Sequence, residues 1–175
     1  MATALVEFET LWHRAWCGSI EAAKAGLAAT LLIRQPANNK LYANFDHEIV
    51  ELIREAKCLM RLGIQVPEGA KMVSMQHDKF KQYYGQLLFS LKEYDRVMAR
   101  ISPVVRNLLQ FHLEDLDKHI APGLTTITWT SLNIPTYLDS VAHSLCKLDD
   151  LVTKMNDMIE NRIESNLKII ARTVS

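Results

Sequence analysis

From Leu5 the apolar residues recur at Leu5, Phe8, Trp12, Trp16, Ile20, Ala23, Leu27 and Leu31. Steps of three and four place them on one helical face, so the pattern predicts a helix over 3–33, closed by Pro36 with Asn38 and Asn39. After the short stretch Leu41 to Phe45, a second helix is expected over 46–62, with Ile49, Leu52, Ile53, Ala56 and Leu59 inward. Asp46 is placed to accept from the free amides of its first turn, and Glu48 adds negative charge where the helix dipole favours it. Gly63 supplies the left-handed residue that stops such a helix, and Pro67 blocks its continuation.

A third helix, over 68–101, carries Phe80, Tyr84, Leu87, Leu91, Tyr94, Met98 and Ile101 in a four-three alternation of coiled-coil type. Ser102 and Pro103 read as cap and first residue of a fourth, over 103–120, with Val105, Leu109, Leu113, Leu116 and Ile120 inward and Ala121-Pro122-Gly123 as its end. The threonine-rich stretch Leu124 to Leu132 has strand propensity. A single strand has nowhere to pair, so the expectation is an ordered loop that buries Trp129. Asn133 and Pro135 open a fifth helix over 134–172, with Ile134, Leu138, Val141, Leu145, Leu148, Val152, Met155 and Ile159 in the same alternation. Ile163, Leu167 and Ile170 continue it after one extra four-residue step. The expected fold is therefore all-α, an elongated bundle of about five helices in one segment, 1–175. Its two long coiled-coil-like members, over 68–101 and 134–172, are expected to pack nearly antiparallel.

At 49% apolar residues the chain has material for a real core. Twenty basic residues balance twenty acidic ones, leaving no net field to draw in nucleic acid or an anionic membrane surface. Three widely spaced cysteines, Cys17, Cys58 and Cys146, do not suit a disulfide framework and fit reduced thiols, with Cys58 and Cys146 read as buried or half-buried small hydrophobes. Met1 to Phe8 carries Glu7 and lacks the basic leader and apolar block of a secretory signal. No run reaches the ~20 apolar residues of a membrane span.

Catalytic chemistry finds little support. His112, Asp115 and His119 share a helical face, but a surface carboxylate beside histidines is the commoner explanation than a metal site. Glu114, Asp115 and Asp117 read as a solvated face, since paired carboxylates need a cleft to separate their pKa values. The six glycines are scattered, and none opens a Gly-Lys-Ser or Gly-Lys-Thr phosphate loop. Phe80, Tyr83, Tyr84, Phe89 and Tyr94 have helical spacing and mixed charge around them, which favours core packing over base stacking. No catalytic, cofactor-binding or metal-binding residue is assigned, and no cofactor, nucleic acid, membrane or small-molecule substrate is expected.

Several stretches resemble one family. Leu41-Tyr-Ala-Asn-Phe-Asp-His-Glu-Ile, then Leu52-Ile-Arg-Glu-Ala-Lys and Leu62-Gly-Ile-Gln-Val-Pro67, are similar to the N-terminal tail of dynein heavy chains. So are Phe8-Glu-Thr-Leu-Trp12 before them and Pro122-Gly-Leu with Thr128-Trp-Thr-Ser131 after them. The matches follow the family's order over most of the chain. One departure is His47, where the family often places a proline after the aspartate, so Asp46 must cap without that rigid aid. Arg54-Glu-Ala-Lys-Cys-Leu-Met-Arg-Leu-Gly resembles the axonemal type, and the outer-arm kind within it. The resemblance implies a non-catalytic tail segment that associates with other heavy chains and docks intermediate and light chains in the ciliary axoneme. The ATP-hydrolysing ring would lie far downstream. A stand-alone helical adaptor that binds a partner helix in a groove, the tail of a cytoplasmic or intraflagellar dynein, and an enzyme using the carboxylates of the fourth helix are the alternatives.

Overall fold

The computed structural model describes residues 2–174. Met1, the start of the stretch compared with a secretory signal, lies outside them. The described chain is predominantly α-helical, in the order α1 (Ala2–Leu27), β1 (Leu32–Arg34), β2 (Leu41–Ala43), α2 (Glu48–Arg61), α3 (Glu68–Met75), α4 (His77–Ala99), α5 (Pro103–Leu108), α6 (Gln110–Thr125) and α7 (Ile134–Val174). Its contacts divide into two compact units, one of residues 1–88 with 123–135 and one of residues 89–122 with 136–175.

In the first unit, α1 packs on α2 and α3. Trp16, Ile20, Ala56, Val66 and Ala70 form a buried cluster with Leu52 and Leu59 against it. The Trp16 indole N–H donates to Glu55 at 2.9 Å, so the ring is buried without stranding its polar edge. Helix α1 ends at Leu27, short of the expected 33, because the chain turns into a hairpin. Leu31 sits four residues after Leu27 and so continues the helical spacing, yet it lies past the helix end, where it and Leu32 are buried at the entry to the hairpin. Leu32 pairs with Ala43 and Arg34 with Leu41 in antiparallel register. The turn is held by the Gln35 and Asn39 amides and by Asn39 in the left-handed region, φ 55°. Pro36 therefore belongs to a hairpin turn and not to a helix end.

Helix α2 starts where Asp46 accepts the Glu48 amide at 2.9 Å through Oδ1, so the aspartate caps without a following proline. It ends in a Schellman motif. Gly63, at φ 75°, donates to the Met60 carbonyl at 3.1 Å, and Ile64 donates to the Leu59 carbonyl at 3.0 Å. The expected third helix is two, α3 and α4, separated at Gln76, and the expected fourth is also two, α5 and α6, separated at Leu109. Ser102 does cap α5, accepting from the Val105 amide at 3.4 Å with Pro103 in the first turn. Pro122 lies inside α6, which runs to Thr125 and does not stop at residues 121–123.

In the second unit α6 and α7 are antiparallel: Tyr137 Oη donates to the Ile120 carbonyl at 3.1 Å, and His119 Nδ1 lies 2.8 Å from Ser140 Oγ. The last turns of α4 run the other way. Arg96 meets Asp149, Arg100 meets Asp149 and Thr153, and Asn156 donates to the Arg100 carbonyl, so residue numbers rise together and α4 is parallel to α7. The expected antiparallel pairing of the two long helices is thus incorrect. The three-residue link from α4 to α5 reverses the chain, the loop into α7 reverses it again, and two reversals restore the direction. Val97, Ile101, Val105, Leu109, Leu116, Ile120, Leu138, Val141, Leu145, Leu148 and Val152 fill the space between.

Candidate docking surfaces

Trp129 organises one side of the first unit. Its loop reaches the hairpin through a single bridge, Thr30 to Thr128, and through the Leu31 amide, which donates to the Ile127 carbonyl at 3.0 Å. Leu124 and Thr125 of the stretch with strand propensity close α6, and the rest forms the expected loop, whose bridged residue Thr128 uses the edge the hairpin provides. Trp129 is 2% exposed and donates through Nε1 to the Asn44 carbonyl at 2.6 Å. Its ring meets Phe45 edge-to-face at 4.9 Å and Tyr84 at 6.3 Å, and His47 stands edge-on to both Phe45 and Tyr84.

Beside this corner, α2 and α4 leave a groove of about 400 Å³. Phe45, Val50, Ile53, Phe80 and Tyr84 line it together with His47, Arg54, Lys57, His77 and Lys81. None of its ten lining residues is acidic. This arrangement is hidden in the sequence because its basic members are spread over two helices, though at each they recur at helical spacing: 47, 54 and 57 at and along α2, 77 and 81 on α4.

In the second unit Asp149 bridges two arginines, at 2.8 Å to Arg96 and 2.5 Å to Arg100, while Arg96 also holds Glu93 at 2.7 Å. The Glu93 hydrogen bond, followed by that of Asp149, holds the Arg96 guanidinium above its ordinary pKa. This network fixes the register of α4 against α7.

Among the described residues, apolar faces stay open on α1 and on α7. On α1, Leu5, Phe8, Leu11 and Trp12 are exposed, although their spacing leads into the buried Trp16 and Ile20. On α7 the stripe that is buried through Val152 continues as exposed Ile159, Ile163, Leu167 and Ile170, with Met158 beside it. Leu108, Met155, Met158, Ile159, Arg162, Ile163 and Asn166 line a groove of about 300 Å³ there. The inward assignment of Leu5, Phe8, Trp12 and of the last seam positions of α7 is therefore corrected for this chain.

The candidates for chemistry do not assemble. His119 Nε2 is 3.9 Å from Asp115, but the His119 ring faces Ser140, and His112 is exposed about two turns from His119. Glu114, Asp115 and Asp117 lie on an exposed face. Cys58 and Cys146 are exposed, against expectation, because each lies beside rather than on its helix's buried line. Of the aromatic stripe, Phe80 is buried and Tyr84 packs in the Trp129 corner, whereas Phe89 is 66% exposed. Among the described residues no helix is long and apolar enough to cross a membrane.

The family model described as dynein heavy chain, N-terminal region 1, matches residues 1–137. The chain belongs to the dynein heavy chain family. It is 47% identical over 174 residues to the dynein gamma chain of the flagellar outer arm of Chlamydomonas reinhardtii, covering 99% of this chain and 4% of that relative. It is 39% identical over 168 residues to dynein axonemal heavy chain 5 of Mus musculus, 96% of this chain and 4% of the relative. Dynein axonemal heavy chain 8 of Homo sapiens is 35% identical over 170 residues, 97% and 4%. This dynein segment thus spans about 4% of the length of the relatives it matches and lies in the N-terminal region of an axonemal heavy chain. The corner built by Asn44, Phe45 and Trp129 and the stop at Gly63 are two of the features on which the resemblance rested, and each is a physical joint of the first unit.

Proposed function

We propose that this dynein segment is a non-catalytic structural part of the tail of an outer-arm axonemal heavy chain, where it associates with other heavy chains and docks intermediate and light chains. The complex it serves is an ATP-driven microtubule motor of the cilium or flagellum, whose ATP hydrolysis lies in other parts of the heavy chain. No cofactor, metal, nucleic acid, membrane or small-molecule substrate takes part in the role of this segment.

The observation that carries the reading is the apolar stripe of α7, buried through Val152 and open from Ile159 to Ile170. Contiguous exposed apolar surface of this kind marks protein–protein contact. The test places Ile163→Ser with Leu167→Ser in the full heavy chain of a ciliated cell and examines axonemes by electron microscopy, with immunoblots for intermediate chains. Loss of arms, or arms lacking intermediate chains, is the expected result. Normal arms with a full complement of intermediate chains would refute the docking role of this face.

A further inference from the structure

The groove between α2 and α4 combines two features that the α1 and α7 faces do not. Its floor is apolar, from Val50, Ile53 and Phe80, with Phe45 and Tyr84 closing one end. Its walls are basic. Arg54 is engaged with Glu51 at 3.0 Å and His77 with Asp78 at 3.2 Å, whereas Lys57 and Lys81 meet no carboxylate among the described residues. The two lysines therefore flank an apolar slot as free cations on opposing helices, in a chain whose formal net charge is zero.

We infer that this groove is a docking site for an acidic, amphipathic peptide segment of a partner protein, which inserts a large apolar side chain between α2 and α4 and sets carboxylates against Lys57 and Lys81. The inference deepens the docking reading above and rests on it only in requiring a protein partner. Its volume, about 400 Å³, lies within the ~300–1,000 Å³ of sites that bury ligand groups. From His47 to Lys57 the α2 wall is roughly 15 Å long at the helical rise, enough to contact a partner helix over about three turns. A phosphate backbone would satisfy the lysines but leave Val50, Ile53 and Phe80 without a counterpart, and nucleic-acid surfaces carry a longer basic track than two free lysines. A neutral apolar helix would fill the floor yet leave both lysines partly desolvated and unpaired, which costs free energy. Only a segment with both characters matches the groove, and charge complementarity of this kind fixes the partner's register.

The experiment pans phage displaying random twelve-residue peptides on the immobilised chain, then measures the enriched peptides by fluorescence anisotropy against the parent and two variants. Lys57→Glu with Lys81→Glu reverses the free charge at side chains outside the buried core, and Val50→Trp fills the slot; circular dichroism verifies that each retains the parent's helix content. Enriched peptides are expected to carry at least two acidic residues around a large apolar one. Their affinity should fall at least tenfold in the charge-reversal variant and at least tenfold in Val50→Trp. Failure to enrich any peptide, enrichment of neutral or basic ones, or binding that survives either variant overturns the proposal. Should that happen while the α7 substitutions still disrupt arm assembly, the groove is eliminated and the docking role of the segment stands.

Discussion

Trp129 tests how the first unit is joined, because its ring and its N–H act on different partners. The ring is 2% exposed, and burying an indole removes on the order of 150–250 Å² from water, or roughly 4–6 kcal/mol at ~25 cal/mol per Å². The N–H donates to the Asn44 main-chain carbonyl at 2.6 Å, and leaving that half-buried acceptor unpaired costs about 1–2 kcal/mol. Together these are an upper bound, because the unfolded chain already buries part of the ring and the site relaxes around the smaller side chain; Trp129→Ala should destabilise the unit by about 3–5 kcal/mol, the range seen when large aromatics are truncated in cores. Trp129→Phe keeps the edge-to-face contact with Phe45 and should lose about 1–2 kcal/mol. Asn44→Ala removes only a side chain, and the acceptor it leaves in place predicts a change of no more than about 0.5 kcal/mol. The assay is urea denaturation followed by the emission of Trp12 and Trp16, which lie in the same unit as residue 129. A Trp129→Ala variant within about 1 kcal/mol of the parent, or an Asn44→Ala variant as damaged as Trp129→Phe, would refute this account of the corner.

Other outcomes follow from single features. Gly63 sits at φ 75° with open space where a Cβ would stand, so Gly63→Ala should cost about 1 kcal/mol through the backbone alone, and Gly63→Asn less, measured by urea midpoints. Leu145→Asp buries a carboxylate without a partner at a position 4% exposed, and should lower stability by roughly 3–5 kcal/mol in denaturation followed by circular dichroism. Asp149→Asn weakens the bridge to Arg96 and Arg100; its urea midpoint should fall in low salt, and the difference from the parent should shrink in 1 M NaCl (~3 Å Debye length). Ile163→Ser with Leu167→Ser should leave the isolated chain's urea midpoint within about 0.5 kcal/mol of the parent, since both side chains are more than half exposed.

Helix-forming stretches were legible wherever a local chemical signal accompanied the periodicity. Ser102-Pro103, Gly63 and Asp46 each act through bonds that span only a few residues, and each sits where the sequence placed it. The hairpin was not legible, because Leu27 and Leu31 keep helical spacing and the strand partner at 41–43 lies beyond the turn, so its stabilisation is non-local. Gln76 and Leu109 interrupt helices without glycine or proline, and nothing in their spacing marks the break. The Trp129 corner was half legible. Burial of Trp129 follows from its size, but its acceptor at Asn44 is 85 residues away. The α2–α4 groove was invisible for a related reason: Lys57 and Lys81 flank one apolar floor only once two helices are placed side by side.

The exposed end of α7 looks at first like a failure of periodicity, and the packing of the second unit argues otherwise. Val152 is fully buried and Ile163 is 53% exposed, although both belong to one seam. What changes between them is the neighbour. Helix α4 ends at Ala99, and Asn156 already reaches back to the Arg100 carbonyl; the α5–α6 turn contributes Leu108 beside Met155 and Ile159. Past that height α7 has neither helix to pack on, while its apolar spacing continues unchanged to Ile170. Solvated helix faces are ordinarily polar, and an isolated helix gains nothing from an apolar stripe. In the docking role proposed above, the stripe that outlasts its neighbours is the surface a partner covers, and the same four-three spacing specifies both the buried and the open part. The sequence pattern encodes which side chains seek cover, and the lengths of α4 and of the α5–α6 pair determine how much of that cover this chain supplies.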